Sequence, residues 1–383
     1  MKHMIRKYHR WLGLALALPL IIEAISGILL IVLPLLLSGR PQYPVTSKPL
    51  SSEALITAAR HAAPASMIPL RFDPARWDGD GAIVTFGPPT ERHPTFQVML
   101  NPENATINRI HEIPKFLRFL HNLHANLLLL PYGETATSMM GVGLLFFAIS
   151  GVFLWWPRHD LWKSGKWRKT VLPSFRARGY RLWREIHISL GIWTTIMLVF
   201  MSISGTLLAF PFSRSLLGVP YPRVTLHQEP ILLAPPHGEE EFDRTITLVQ
   251  REYPQAIFRH AQLGSTQKQQ RLQFSLPAYG PNTLATMHLD TKTGKIILVQ
   301  DPADEKWGAW IFRWLHTLHE ARLEGPLIWA PLWKFLVFCT GLALTYFSIS
   351  GIVMSVLRTN RAVPTRGAVR SRQAKSSTGK HER

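Results

Sequence analysis

Residues 11–37, WLGLALALPLIIEAISGILLIVLPLLL, form an apolar run in which Glu23 is the only charged side chain. A helix needs about 20 mostly apolar residues to cross the hydrocarbon core of a bilayer, and this run is long enough. Its apolar core is too long for a cleavable signal peptide, and no A-x-A cleavage site follows it. We therefore predict that the run is a membrane-spanning helix that remains in the protein.

Three further stretches have similar length and apolarity: Ser138–Trp156, Ile188–Phe210 and Pro331–Leu357. The chain of 383 residues is 46% hydrophobic and only 17% charged, whereas a soluble domain carries roughly 25% charged residues. This composition excludes a soluble enzyme. The single cysteine, Cys339, excludes an internal disulfide and a cysteine-based zinc or iron–sulfur site. The sequence predicts an α-helical membrane protein with four transmembrane helices, and hence a lipid bilayer as its partner.

Basic residues concentrate in three short segments that flank the spans. Lysine and arginine together number four in residues 1–10, nine in residues 158–185 and eight in residues 358–383, and the three segments contain only three acids. Lysine and arginine are enriched in loops that stay in the cytoplasm. We predict that both termini and the middle loop are cytoplasmic and that the two long loops face outward. The formal net charge of +19 thus reports topology, and no nucleic-acid partner is predicted.

Short motifs recur at matching positions in the two halves of the chain, which indicates a tandem duplication. The motif H-x-x-L-G opens spans one and three, an L-H-x-L-H segment precedes spans two and four, and ISG occurs in every span. The repeated segments are HRWLG at 9–13 and HISLG at 187–191, RFLHNLH at 118–124 and RWLHTLH at 313–319, and ISG at 25–27, 149–151, 203–205 and 349–351. We interpret the ISG serines as small residues that allow close helix contact.

Each long loop is predicted to fold as a small α+β module. Residues 51–63 and 241–253 have helical patterns, and strand patterns follow each of them. The predicted divisions are the N-terminus and first span at 1–37, the first module at 38–115, the first histidine helix and second span at 116–157, the basic loop at 158–186, the third span at 187–210, the second module at 211–306, the second histidine helix and fourth span at 307–357, and a disordered basic tail at 358–383.

Two histidines lie at equivalent depths at the cytoplasmic ends of spans one and three. Copies inserted in the same direction are related by a pseudo-two-fold axis along the membrane normal, so His9 and His187 can face each other across that axis. A planar tetrapyrrole between them would receive one imidazole on each side of its iron. Two axial imidazoles leave no open coordination position, which suits electron transfer rather than oxygen chemistry. We predict a haem between His9 and His187.

The L-H-x-L-H segments offer a second pair at the outer face, with a choice in each copy. His121 and His124 are three residues apart and share a helix face, as do His316 and His319. We favour His124 and His319 as ligands of a second haem because they lie nearer the following span. His121 and His316 are the alternates, and ligation by both pairs would allow a third haem.

Three charged residues complete the candidate site. Arg118 and Arg313 lie one to two turns before the outer histidines and could pair with haem propionates. Glu23 is an intramembrane acid and therefore a functional candidate. It either takes part in proton transfer or interacts with a haem propionate, or it only forms a hydrogen bond to a serine of the bundle.

The paired H-x-x-L-G and L-H-x-L-H segments, with ISG in each span, resemble the PepSY-associated transmembrane family over residues 1–358. Within that family the chain is similar to inner-membrane ferric-siderophore reductases of Gram-negative bacteria, which have four helices and haem b. The resemblance implies PepSY-like periplasmic modules, two haems b, and ligands at His9, His187, His124 and His319. It also implies that electrons pass from the cytoplasmic side to a ferric siderophore in the periplasm, which then releases ferrous iron.

Several functional points follow from this resemblance. No G-x-G-x-x-G occurs and the cytoplasmic loop is short, so the electron donor is expected to be a separate cytoplasmic molecule or a quinol. Aromatic residues and one arginine are candidate walls of the siderophore site or, alternatively, interfacial anchors: Trp307, Trp310, Trp314 and Arg322.

The alternative functions are a siderophore or metal permease, and a non-enzymatic periplasmic sensor or assembly factor. The spans contain few polar residues for a permease path, and a sensor leaves the registered histidines unexplained.

Overall fold

The computed structural model describes residues 1–37, 49–75, 80–89, 94–174, 176–219, 231–232, 241–263, 269–277, 285–290, 295–300, 305–323 and 329–362. Most of the tail predicted to be disordered, residues 363–383, lies outside this set. The chain forms two compact units. The helical unit comprises Met1–Ile31, Asn122–Phe210 and Pro331–Arg383, and the sheet unit comprises Val32–His121 and Pro211–Ala330.

Helices and strands alternate along the chain in two similar series. The helices are α1 (Lys2–Leu37), α2 (Ser52–Ala62), α3 (Lys115–Asn126), α4 (Gly133–Trp155), α5 (His159–Lys163), α6 (Tyr180–Ala209), α7 (Ser213–Leu216), α8 (Glu241–Glu252), α9 (Trp307–His319) and α10 (Trp329–Ala362). The strands are β1 (Ile68–Asp73), β2 (Ala82–Gly87), β3 (Phe96–Leu100), β4 (Ile107–Glu112), β5 (Ile231–Leu232), β6 (Ile257–Gln262), β7 (Gln269–Ser275), β8 (Ala285–Asp290) and β9 (Lys295–Gln300). A 3-10 turn at Lys166–Thr170 follows α5.

Four helices, α1, α4, α6 and α10, are long and apolar enough to cross a membrane. They coincide with the four runs predicted from the sequence, so the chain is a helical membrane protein. The first histidine segment is separate from the span that follows it, because α3 ends at Asn126 and α4 begins at Gly133. The separation leaves α4 with 23 residues, close to the length that a bilayer requires.

The four spanning helices pack through small residues. Each helix contributes one residue to a common buried cluster: Ala24, Ala148, Leu198 and Leu344. A Cβ atom added to Gly141 of α4 would collide with the hydroxyl of Thr206 on α6. A Cβ atom added to Gly341 of α10 would lie 2.7 Å from Ile28 of α1. At the crossing of α4 and α6 the glycine allows the two backbones to approach closely, as is usual where lipid supplies no hydrophobic drive for helix association.

The sheet unit contains one antiparallel sheet, whose described strands run in the order β4-β3-β2-β1-β6-β7-β8-β9-β5. Helix α2 followed by β1–β4 forms one half, and α8 followed by β6–β9 forms the other. The halves join where β1 pairs with β6, with Phe72 opposite Ala261 and Arg71 opposite Gln262. The predicted module helices are observed in α2 and α8, but the strand pairing that joins the halves is not visible in the sequence.

Aromatic side chains from both halves form the core of the sheet unit. Phe72 of β1 stacks on Phe258 of β6 with ring centroids 6.3 Å apart, and Phe258 contacts Phe274 of β7 at 5.4 Å. Phe72 and Phe274 are fully buried. Because these rings come from both sides of the β1–β6 pairing, the two halves share one hydrophobic core.

Asp243 at the start of α8 caps the first turn of α2. Its two carboxylate oxygens accept hydrogen bonds from the backbone amides of Ser52 and Glu53, at 2.9 and 3.1 Å. These amides have no partner within their own helix, as is general for a first turn. We expect Asp243→Ala to weaken α2 by about 1 kcal/mol, the usual cost of a lost cap, seen as roughly fivefold faster amide exchange in residues 52–62.

The matched variant for this experiment is Asp243→Asn, which keeps one carbonyl oxygen as an acceptor and removes the charge. Its effect on exchange in α2 is expected to be smaller than that of alanine. Unchanged exchange in the alanine variant would show that Asp243 does not stabilise α2.

Candidate functional site

His9 of α1 is hydrogen-bonded to a serine of the neighbouring helix. Its Nδ1 lies 2.7 Å from the Oγ of Ser150 on α4. The hydroxyl of Ser150, which is 4% exposed, also lies 3.3 Å from the backbone oxygen of Phe147. The Phe147 ring meets the imidazole edge-on at 5.4 Å. A serine and a phenylalanine of α4 therefore hold the half-buried imidazole on two sides.

His187 of α6 has the same environment, built from α10. Its Nδ1 lies 2.7 Å from the Oγ of Ser350, and that hydroxyl donates to the backbone oxygen of Phe347 at 3.0 Å. The Phe347 ring lies edge-on to the imidazole at 5.0 Å. Ser350 is fully buried. The two histidines predicted to share a haem thus have matching partners at matching sequence positions.

In both His9 and His187 the hydrogen bond to serine uses Nδ1, so Nε2 is the nitrogen left to bind a metal. Neutral imidazole nitrogen is a common ligand of iron. The donor set therefore fits a metal bound by one histidine from each half.

Glycines on the same helices leave room beside His187. A Cβ atom added to Gly191, one turn after His187, would have no other described atom within 4 Å, and the same holds for Gly351 beside Ser350. On the other pair of helices, a Cβ atom added to Gly151 would lie 3.9 Å from Cε1 of His9. A flat macrocycle needs space next to its axial ligands, and glycines one turn from His187 and beside the two serines are compatible with that need.

His124 lies against the ISG motif of the first span. Its Nδ1 is 3.0 Å from the backbone oxygen of Glu23 and 3.3 Å from the Oγ of Ser26. A Cβ atom added to Gly27 would lie 2.9 Å from Cε1 of His124, so this position accepts only glycine while the ring is in place. As in His9 and His187, Nδ1 is a nitrogen engaged by the neighbouring helix.

The other outer histidines belong to the sheet unit. His316 is half-exposed and its Nε2 is bound to Oε1 of Glu320 at 2.7 Å. Arg322 pairs with the second oxygen of Glu320 at 2.7 Å. Burial by itself raises the pKa of Glu320, but the hydrogen bond from His316 and the nearby charges of Arg322, His316 and His121 outweigh it and hold that pKa below its ordinary value. His121 is exposed and His319 is half-buried at the end of α9.

The two arginines predicted to meet propionates have different positions. Arg313 forms a two-pronged ion pair with Glu305, and both side chains are largely buried. Arg118 lies half-buried on α3. The pairing of Arg313 was missed from sequence, where Glu305 has no distinguishing pattern. A propionate role stays a prediction for both arginines.

Glu23 is half-buried in α1, and its Oε2 is buried without a hydrogen-bond partner among the described residues. Its backbone oxygen accepts from His124. A buried carboxyl oxygen of this kind calls for a functional explanation. Among the described residues, no group of three or more His, Cys, Asp or Glu side chains is arranged to hold a metal ion.

Aromatic residues of α9 are accessible at one face of the helix. Trp307 is 73% exposed and Trp310 is 42% exposed. Trp310 contacts Trp314 at 6.1 Å between ring centroids. The side chain of Arg322, three residues beyond α9, is exposed and pairs with Glu320. The tryptophans therefore present an aromatic surface, whichever of the two predicted roles they serve.

Sequence reasoning missed the serines of the ISG motifs as partners of the histidines. Ser26, Ser150 and Ser350 each lie within 3.3 Å of a histidine Nδ1, so an interpretation as packing residues alone is incomplete. The signal that could have identified them is the recurrence of the same tripeptide in all four spans. Packing alone would be satisfied by alanine or glycine.

One comparison with known proteins identifies a family. The family model described as PepSY-associated TM region matches residues 6–358, which is nearly the whole chain. This match confirms the resemblance inferred from the histidine and ISG motifs. The search of curated proteins gave no match.

Proposed function

Because the chain belongs to the PepSY-associated TM family, we propose that it is a dihaem electron-transfer protein that reduces ferric siderophores. The observation that carries the proposal is the matched pair of histidine–serine contacts, His9 with Ser150 and His187 with Ser350. Each of these half-buried imidazoles lies in a membrane-spanning helix and is hydrogen-bonded through Nδ1 to a serine of a neighbouring helix, and one such imidazole from each half of the chain would supply the two axial ligands of a haem iron.

The proposed haem ligands are two pairs of histidines, one near each face of the membrane. His9 and His187 would hold one haem b, and His124 and His319 would hold the other, with His121 and His316 as alternates. A haem b between two imidazoles accepts and donates single electrons without an open coordination position. The protein supplies the spacing and the surroundings of the two groups, which set the electron-transfer potential.

The proposed orientation places both termini in the cytoplasm and the sheet unit in the periplasm of a bacterial inner membrane. The concentration of lysine and arginine in residues 1–10, 158–185 and 358–383 supports it. We also propose that the chain arose by tandem duplication and that the two halves of the sheet unit are PepSY-like modules. The shared order of one helix and four strands in each half supports this origin.

The proposed substrate is a ferric siderophore that binds at the periplasmic side. Its ferric ion takes up one electron and leaves as the ferrous ion, which the hard oxygen ligands of a siderophore hold weakly. Exposed Trp307 and Trp310 could contact the chelate, and Arg322 carries a cationic group close by in the sequence. The electron comes from a separate cytoplasmic molecule or from a quinol.

The visible spectrum of the purified protein, before and after reduction with dithionite, is the first test of this function. We expect a sharp α-band of low-spin haem b and two haems per chain. When excess reductant has been removed, addition of a ferric siderophore should reoxidise the haem, and an equal amount of ferrous iron should be captured by a ferrous-specific chelator.

The two steps of this test separate the hypotheses. A protein without haem would contradict the electron-transfer function and favour a sensor or a permease. A protein that contains haem but is not reoxidised by ferric siderophores would retain electron transfer and lose the substrate assignment.

A further inference from the structure

We propose that Ser150 and Ser350 are positioning residues that fix the tautomer and the ring orientation of His9 and His187. Each serine hydroxyl accepts a hydrogen bond from Nδ1–H of its histidine, which keeps Nε2 unprotonated for iron. This inference rests on the proposed haem binding and assigns a role to two residues that contact no haem themselves.

The backbone oxygen near each serine hydroxyl supports this direction of the hydrogen bond. The Oγ of Ser350 lies 3.0 Å from the backbone oxygen of Phe347, and the Oγ of Ser150 lies 3.3 Å from that of Phe147. A carbonyl can only accept, so in the proposed arrangement each hydroxyl donates its one proton to the carbonyl within its own helix. A lone pair of the hydroxyl is then directed to the imidazole, whose Nδ1 must carry the proton.

The same arrangement restrains the plane of each ring. The Phe147 ring meets His9 at an interplanar angle of 72°, and the Phe347 ring meets His187 at 65°. With a hydrogen bond on one ring nitrogen and an aromatic edge against the ring, rotation about the Cβ–Cγ bond is opposed from two sides. Both contacts come from a neighbouring helix, so helix packing determines the orientation of the imidazole.

Burial makes the serine hydroxyls hard to replace by water. Ser150 is 4% exposed and Ser350 is fully buried. Removing either hydroxyl would leave an imidazole N–H inside the bundle without its acceptor, which is unfavourable. The ring would then turn or change tautomer to find another partner, and in either case Nε2 would be lost as a well-placed ligand. Loss of such supporting hydrogen bonds lowers metal affinity by about 10- to 100-fold in other proteins.

A comparison of Ser350→Thr with Ser350→Val in the full-length, haem-loaded protein tests this role. Threonine and valine have nearly the same shape, and only threonine keeps the hydroxyl. We expect threonine to resemble the wild type and valine to release one haem to apomyoglobin about tenfold faster or more. The electron paramagnetic resonance g values of that haem should shift in the valine variant, because they depend on the relative orientation of the two imidazole planes.

The midpoint potential gives a third readout that simple loss of packing would not move in a defined direction. A hydrogen bond from Nδ1–H makes the imidazole a stronger donor and favours the ferric state. The potential of that haem is therefore expected to rise in Ser350→Val and in Ser150→Val. Each of the two single substitutions should affect the same haem, since His9 and His187 are proposed to share it.

Ser348→Ala is the matched control. Ser348 lies on the same helix, is 7% exposed, and donates to the backbone oxygen of Leu344 as Ser350 does to that of Phe347. It should leave haem release, g values and potential unchanged. Wild-type values in both valine variants would overturn the positioning role while leaving haem binding intact. Absence of haem from the wild-type protein would instead contradict the proposed function.

Discussion

Replacing His187 with alanine is expected to reduce the haem content from two per chain to one. His187 has its Nδ1 held by Ser350, so the imidazole is oriented before any ligand binds, and no other described imidazole contacts that serine. A haem with one axial histidine removed would lose a strong iron–nitrogen bond and would keep only one of its two axial ligands. The measurement is haem per protein by pyridine haemochrome, together with the intensity of the α-band in the reduced protein.

The His9→Ala variant should give the same result, since both histidines are proposed to bind the same iron. The haem lost by either variant should be the same one by its midpoint potential. His3→Ala is a suitable control because His3 is exposed on α1, six residues before His9. Loss of both haems from folded protein, or of neither, would contradict the paired assignment.

Much of the helical unit could be predicted from local sequence. A bilayer requires long apolar runs, and these are visible without knowledge of any tertiary contact. The repeat of H-x-x-L-G and ISG then indicated which histidines are equivalent. The partner of each histidine could not be predicted, because the contact between His9 and Ser150 depends on which helices are neighbours and on their vertical register.

In the sheet unit, too, the local sequence predicts the elements but not their partners. The helices α2 and α8 have recognisable patterns, whereas the pairing of β1 with β6 joins residues about 190 positions apart, such as Phe72 and Ala261. Nothing local to either strand specifies that partner. The buried pair of Arg313 with Glu305 is a similar case, since Glu305 lies before α9 begins and an acid eight residues before an arginine has no sequence signature.

Glu23 lies on the helix that carries His9 and contacts His124, a combination that the sequence alone did not suggest. Its backbone oxygen and the hydroxyl of Ser26 both lie near Nδ1 of His124, so residues in the middle of the first span contact His124. The first span also carries His9 near its beginning. The helix α1 thus contains one proposed haem ligand, His9, and contacts another, His124.

Substituting the four outer histidines singly is expected to separate ligands from neighbours. His124→Ala should remove the second haem and retain the first. The ring of His124 is fitted against Gly27, where even a methyl group would lie 2.9 Å from Cε1, and its Nδ1 is held by the backbone of Glu23. His121→Ala should retain both haems, because His121 is exposed.

In the second copy His319→Ala should have the effect of His124→Ala, and His316→Ala should retain both haems. The reason is the position of Glu320, whose carboxylate binds Nε2 of His316 and would have to be displaced before that nitrogen could bind iron. Haem per protein and midpoint potential again provide the measurement. Loss of a haem in His316→Ala with retention in His319→Ala would reverse the assignment in this copy. Partial loss in all four variants would instead indicate that both histidines of each helix bind iron and that a third haem is present.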